Sequence, residues 1–284
     1  MSIVITATSG QLGRLAVEDL LRRDVAPAEI VAGARSLESI KDLAETGVRT
    51  AVLDYDQPDT VATAVSSGDT LVLISGNDLA NRDRQHADVI ATAKRAGAAH
   101  LVYTSGLRAS ESPSPIAATH AVTEDAVRDS GIPFTLLRNG WYTENYAHSL
   151  EAVRATGVLL ASVGDCRVAS ATRRDFAEAV AAVVATEGHH GKTYELSGDV
   201  AWSYDDLARA LGEVLGRDVV HQSVPPERHL QALTDAGVPE PMAQMAVGAD
   251  AGIRAGAFAF TNGDLARLLA RPTTPLVEGL RPLA

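Results

Sequence analysis

Ser2-Ile3-Val4-Ile5-Thr6-Ala7-Thr8-Ser9-Gly10-Gln11-Leu12-Gly13 decides how this chain is read. Its first residues make a short apolar strand. A glycine-containing turn follows, and Arg14 to Leu21 then repeats apolar residues at helical spacing. Strand, glycine turn and helix in that order begin a dinucleotide-binding sheet. The turn aims backbone N–H groups, and the helix its positive end, at a pyrophosphate.

The turn alone is a weak signal, because Ala7 stands where a first glycine is expected. The next unit strengthens it. Glu29 to Ala34 reads as a second strand, and Arg35 sits at its end with no Asp or Glu between Val31 and Leu37. An acidic residue there holds a ribose 2′-hydroxyl, whereas an arginine holds a 2′-phosphate. The expected cofactor is therefore NADPH rather than NADH.

Alternation continues outward from this start. Strands are predicted at 2–6, 29–34, 49–53, 70–74, 100–104 and 133–137, with helices between them. Leu71-Val72-Leu73-Ile74 and Leu101-Val102-Tyr103 are unbroken apolar runs, as in a parallel sheet covered on both faces. The fold class is α/β: a Rossmann-type doubly wound parallel sheet with a smaller, mostly helical C-terminal lobe. We expect an NAD(P)-binding Rossmann domain over 1–200, with 138–172 contributing to the substrate cleft, and a substrate lobe over 201–284.

Composition narrows the function. Net charge is −11, which argues against a nucleic-acid or anionic-membrane surface. The single cysteine, Cys166, excludes an internal disulfide and any cysteine metal cluster. With no signal-peptide pattern and no apolar run long enough to span a bilayer, a cytoplasmic location is expected. The histidines show no metal-ligand spacing, so no metal site is expected. No Gly-x-Ser-x-Gly elbow or P-loop is present.

Ligands of open α/β sheets bind beyond the carboxyl ends of the strands. The residues read there are Ala7, Thr8, Ser9, Gly10, Gln11 and Leu12 after the first strand, then Arg35, then Asp54 and Tyr55. Ser75, Gly76 and Asn77 follow the fourth strand, Thr104 and Ser105 the fifth, and Asn139, Gly140, Trp141 and Tyr142 the sixth. All are candidate cofactor contacts.

These segments resemble the NmrA-like atypical short-chain dehydrogenase/reductases, and among them the bacterial type-2 NAD(P)H:quinone reductases. The resemblance spans the chain. It rests on Thr8 to Gly13, Arg35, Gln85-His86, Tyr103-Thr104-Ser105, His120 with Thr123-Glu124, Arg138-Asn139-Gly140-Trp141-Tyr142-Thr143-Glu144-Asn145-Tyr146, and Gly191 to Leu196. It implies hydride transfer from NADPH to a quinone-like small molecule, with neither flavin nor metal; a homodimer is also expected. The alternative is an NADP-binding redox sensor of the same group that does not turn over. None of the six tyrosines has a lysine four residues on, so the Tyr-x-x-x-Lys acid of ordinary short-chain reductases is missing. Quinone reduction needs mainly orientation and a flat apolar surface, because a hydroquinone anion takes a proton from water. Tyr103, Trp141 and Tyr142 are candidates for that surface. Asn145 and Ser105 are candidate hydrogen-bond partners of a quinone oxygen, and His120 is a candidate proton donor. The catalytic candidates are thus His120, Tyr103 and Asn145.

Arg35 carries a first prediction. A charge-assisted contact to a phosphate contributes about 1.5–3 kcal/mol, so NADPH binds roughly tenfold or more tightly than NADH. Fluorescence titration of both cofactors checks this, and Arg35→Ala removes the preference.

Overall fold

The computed structural model describes residues 1–112 and 115–284. In chain order the elements are β1 (Ile3–Ile5), α1 (Gln11–Arg22), β2 (Ile30–Ala34), α2 (Lys41–Glu45), β3 (Arg49–Val52), α3 (Pro58–Ala64), β4 (Thr70–Leu73), α4 (Arg82–Ala96), β5 (His100–Gly106), α5 (Pro115–Asp129), β6 (Phe134–Asn139), α6 (Leu150–Thr156), β7 (Val158–Ala161), β8 (Arg167–Val168), α7 (Arg173–Ala185), β9 (Lys192–Leu196), β10 (Trp202–Ser203), α8 (Tyr204–Leu215), β11 (Val220–Ser223), α9 (Pro226–Asp235), α10 (Glu240–Arg254), α11 (Asp264–Leu269) and α12 (Leu276–Leu280).

The chain divides into two compact units. The first comprises Met1–Asn139, Arg173–Leu196 and Arg267–Arg271; the second comprises Gly140–Thr172, Ser197–Ala266 and Pro272–Ala284. This division places 140–172 with Ser197–Ala266 and Pro272–Ala284, where the sequence reading kept 138–172 in the first domain as a contributor to the substrate cleft and set the boundary at 200.

The first unit is built on a seven-stranded sheet, ordered β3-β2-β1-β4-β5-β6-β9. Every pairing is parallel. Strand order reverses between β1 and β4, so right-handed crossovers put helices on opposite faces, and the carboxyl ends of these two strands flank the switch point. Leu71, Leu73, Leu101, Tyr103 and Leu136 pack with Val61, Val89, Ile90 and Val127 from α3, α4 and α5. The alternate residues Val72, Val102 and Leu137 are equally buried, the mark of a sheet covered on both sides. The six strands predicted between 2 and 137 are all present in this sheet, as β1 to β6.

One polar cluster sits inside this unit. The carboxylate of Glu124 on α5 is fully buried. It accepts from Arg138 Nε (2.7 Å) and Nη2 (2.6 Å), from Ser105 Oγ (2.6 Å) and from Arg128 Nη2 (2.9 Å). Arg138 Nη1 also reaches Glu195 on β9 at 2.7 Å. Burial pushes the Glu124 pKa up, but the hydrogen bonds from Arg138 and Ser105 outweigh burial and hold it below the ordinary value. The hydrogen bonds it donates to Glu124 raise the Arg138 pKa in turn.

The second unit surrounds Tyr146, Leu150, Val153, Leu159, Trp202, Leu207, Leu211 and Ile253. It carries two small sheets, β10-β8 antiparallel and β11-β7 parallel. Helix α8 opens with a capping box: Ser203 Oγ accepts from the Asp206 N–H, and the Asp206 carboxylate accepts from the Ser203 N–H. The strands β7, β8 and β10 and the helix α12 were missed from sequence. Runs of two to five residues are too short for either period to register.

Ala7 adopts φ +52°, the left-handed region. A Cβ is strained there by roughly 1 kcal/mol. Thus the turn after β1 keeps the backbone shape that a glycine favours. Ala7→Gly should stabilise the protein by about 1 kcal/mol, which thermal unfolding reads as a rise of about 2 °C; NADPH affinity should be unchanged or tighter. Glu124→Gln should lose about 3–5 kcal/mol, because Arg138 keeps its charge in a buried place. The depressed pKa fixes the sign with pH. The carboxylate's contribution is complete above the ordinary value of 4.5 and is lost as pH falls through the folded value. Urea unfolding against pH should show that acid-side loss in the wild type and not in the variant.

Candidate cofactor and acceptor site

The turn after β1 is shaped by two close approaches. Gly10 N–H donates to the Ala7 carbonyl (3.0 Å), and Thr8 N–H to Gly33 O on β2 (2.9 Å). A Cβ on Gly13 would stand 2.7 Å from Ala7 O, so only glycine lets α1 start this close to β1. Gly10 is the N-cap of α1, and no side chain caps the helix. Its first N–H groups therefore point out of the turn with Ser9, Gly10 and Gln11 exposed around them, an arrangement suited to an anion. Thr8 does not join this exposed set. It is buried, and its hydroxyl also donates to Gly33 O at 3.0 Å.

Arg35 lies at the end of β2 and is exposed. Among the described residues it makes no ion pair. Asp56, missed as a neighbour from sequence, is close enough to sense it. Hydrogen bonds from Arg84 and Gln85, and then the charges of Arg84 and Arg35, hold the Asp56 carboxyl below the usual range. Asp54 is turned into its own loop, accepting from Asp56 N (3.1 Å) and Gln57 Nε2 (3.1 Å). Tyr55 points inward. Its hydroxyl donates to Ile74 O (2.6 Å) and also contacts Thr6 Oγ1, so it ties the loop after β3 to the end of β4.

The loop after β4 is pinned from below by two side chains one helical turn apart on α4. Arg82 Nη1 donates to Ser75 Oγ (3.2 Å), and Gly76 N–H donates to His86 Nε2 (3.1 Å). Ser75 N–H donates to Thr104 Oγ1 (3.0 Å). Asn77 is exposed. His86 must be neutral, since Nε2 accepts. Its Nδ1–H donates to Thr123 Oγ1 (3.0 Å), whose hydroxyl reaches Thr119 O (3.3 Å). Burial, then the charge of Arg82, lowers the His86 pKa to about 3.

Tyr103 and His120 do meet, at 2.8 Å between the phenol oxygen and Nδ1. Tyr103 has no exposed surface, however, and packs in the hydrophobic core. The expectation that its ring forms a stacking surface is therefore corrected: a side chain at this place on β5 points under α4 and α5. Burial raises its hydroxyl pKa to about 12. Ser105 is likewise buried, and its hydroxyl proton is committed to Glu124. It has no proton left for an acceptor oxygen. His120 is half-buried beneath Gly106, with Nε2 held 3.1 Å from Arg82 Nη1. Sequence reasoning missed Arg82 altogether. The signal was present in its spacing to His86, at i and i+4 on the helix after β4.

Asn139 closes β6 and is buried, its carbonyl accepting from Leu107 N–H (2.9 Å). The next residues belong to the second unit. There the segment from Gly140 runs beside Ala171. Trp141 O accepts from Ala171 N–H (3.1 Å), Thr143 N–H donates to Ala171 O (2.9 Å), and Asn145 N–H donates to Tyr142 O (3.1 Å). Trp141 lies half-buried against Phe258 (ring centroids 4.9 Å) and Tyr146 (6.4 Å). Gly140, Tyr142 and Asn145 are also half-buried.

Among the described residues no group of His, Cys, Asp and Glu has the arrangement of a metal site, and no helix is long and apolar enough to cross a membrane.

This geometry agrees with what known proteins show. A family described as NAD(P)H-binding matches residues 8–187. Quinone oxidoreductase 2 of Escherichia coli is 39% identical over 281 residues, covering 99% of this chain and 98% of that protein. The crystal structure of the NADPH complex of Escherichia coli NADPH-dependent quinone oxidoreductase QOR2 superposes with a TM-score of 0.94 over 99% of each chain, at 39% identity. Citrobacter sp. triphenylmethane reductase complexed with NADP(H) superposes at 0.95 over 100% of each chain, at 38% identity. With the turn after β1, the strand order and the full-length match in agreement, the chain belongs to the NAD(P)H-binding family, among relatives of quinone oxidoreductase 2.

Proposed function

We propose that the protein is an NADPH-dependent oxidoreductase that passes a hydride to a quinone or a similar small electrophilic acceptor. The observation that carries this reading is the full-length likeness to reductases of that kind. The chain's own chemistry supports it. The residues fit a phosphorylated dinucleotide: an uncapped helix start, glycines where a Cβ would crowd the turn, and the exposed Arg35. The backbone from Ala7 to Leu12 would hold the pyrophosphate and Arg35 the 2′-phosphate. Asp54 and Tyr55 would border the adenine. Ser75, Gly76, Asn77, Thr104 and Asn139 would line the remainder. When bound, NADPH supplies the hydride.

What remains for the protein is to orient the acceptor and keep it flat. We assign that work to Trp141 and Tyr142, with Asn145 donating to an acceptor oxygen. Solvent provides the proton, since a hydroquinone anion needs no protein acid. A sensor without turnover is not favoured. We further propose a cytoplasmic homodimer.

NADPH oxidation against a panel of quinones, enones and simple carbonyls tests the reading, with quinones turned over fastest. Trp141→Ala and Asn145→Ala should each lower quinone turnover at least tenfold, about 1.4 kcal/mol of transition-state stabilisation, while NADPH affinity changes much less. A wild-type protein inert to every quinone would sink the reductase reading.

A further inference from the structure

Arg82 is 2% exposed, and among the described residues it has no carboxylate partner and its Nε has no hydrogen-bond partner. A buried guanidinium costs several kcal/mol unless the contacts it makes are worth having. Its Nη1 makes two of them, to Ser75 Oγ and to Nε2 of His120. A guanidinium only donates. Nε2 of His120 must therefore accept, and an imidazole that accepts at Nε2 carries its one proton on Nδ1. That proton faces the Tyr103 oxygen at 2.8 Å.

We propose that Arg82 is a positioning residue: by donating to Nε2 it fixes His120 as the neutral Nδ1–H imidazole turned into the core, so that His120 takes no part in the reduction as an acid. Protonating the ring would bring an Nε2–H against an Nη1–H, donor to donor, and would set two positive charges side by side. The other groups around the ring do not reverse this. Tyr103 on β5 is uncharged, with a raised pKa. His86 on α4 is held neutral by Gly76. Glu124 on α5 favours the imidazolium, but two arginines already neutralise it. Burial first, and Arg82 second, bring the His120 pKa to about 4. The proposal deepens and rests on the reductase reading, since it removes the candidate proton donor His120 and leaves solvent as the source.

The test begins with the wild-type protein, so it does not depend on any variant folding. Imidazole 15N–1H spectra, with His120 assigned from the signals lost in His120→Gln, should show an Nδ1–H tautomer that does not titrate between pH 5.5 and 8. A His120 that titrates near 6.5, or that carries its proton on Nε2, overturns the proposal. In Arg82→Met the ring should lose its fixed tautomer and carry its proton partly on Nε2, whereas Arg82→Lys, which still donates, should keep it on Nδ1. Quinone turnover adds an independent arm. The wild-type kcat should be level from pH 5.5 to 8. A wild-type step near pH 6.5 that disappears in His120→Gln would show an acting acid and refute the proposal. Absence of any quinone turnover would defeat the reductase reading alone, because the spectra need no reaction.

Discussion

A carboxylate with no access to water, held between two guanidiniums, is the constraint on which the sheet unit depends. Glu124 comes from α5, Arg138 from β6, Ser105 from β5 and Glu195 from β9. Four elements are thus joined at the carboxyl end of the sheet, where we place the site. Apolar packing alone would let these strand ends shift with little loss, because dispersion is not directional. A bidentate pair in a dry place is directional and tolerates no such shift. Replacing the whole pair with well-packed apolar side chains of similar volume costs little stability. What the pair secures is geometry: Thr104, Ser105 and Asn139 sit on strands whose register it fixes.

The same logic governs the amino-terminal turn, with backbone in place of charge. Gly13 is there because α1 begins against Ala7 with no room for a Cβ. Ala7 keeps a left-handed φ although it is not glycine. The strain is modest and local, and is borne by the contacts of Thr8 with Gly33 on the neighbouring strand. A turn of this shape therefore forms with alanine at its first position, provided that the backbone path is enforced from elsewhere.

Much of this was legible in the sequence. Buried parallel strands announce themselves as unbroken apolar runs, so Leu71 to Leu73 and Leu101 to Tyr103 were read correctly, and the order of strands and helices followed. What escaped was whatever depends on direction rather than on pattern. A run such as Val102-Tyr103-Thr104 does not say which face each side chain takes, so Tyr103 was expected at a surface and lies in the core. Thr8 and Ser105 were read as loop-edge donors, but their hydroxyls are spent on Gly33 and Glu124. Arg82 was invisible because a charged residue in a polar helix start is ordinarily solvated. Only the fold brings it to Ser75 and His120.

These misreadings share a cause with consequences for the chemistry. His120 and Ser105, first suggested as an acid and a hydrogen-bond donor, turn out to be satisfied within the sheet unit, and only Asn145 of the second unit keeps such an assignment. His86 accepts from Gly76, His120 accepts from Arg82, Tyr103 accepts from His120, and Ser105 donates to Glu124. A network with its protons assigned in this way is rigid, because turning one ring would leave a neighbour unsatisfied. It is well suited to holding the loop Ser75–Asn77 still, and poorly suited to giving up a proton in every turnover. A reaction that requires placement but no enzyme-derived proton is the kind such a scaffold can serve. Hydride transfer to an acceptor whose reduced form is a weak base meets that description, and a simple ketone, which needs an acid at its oxygen, does not.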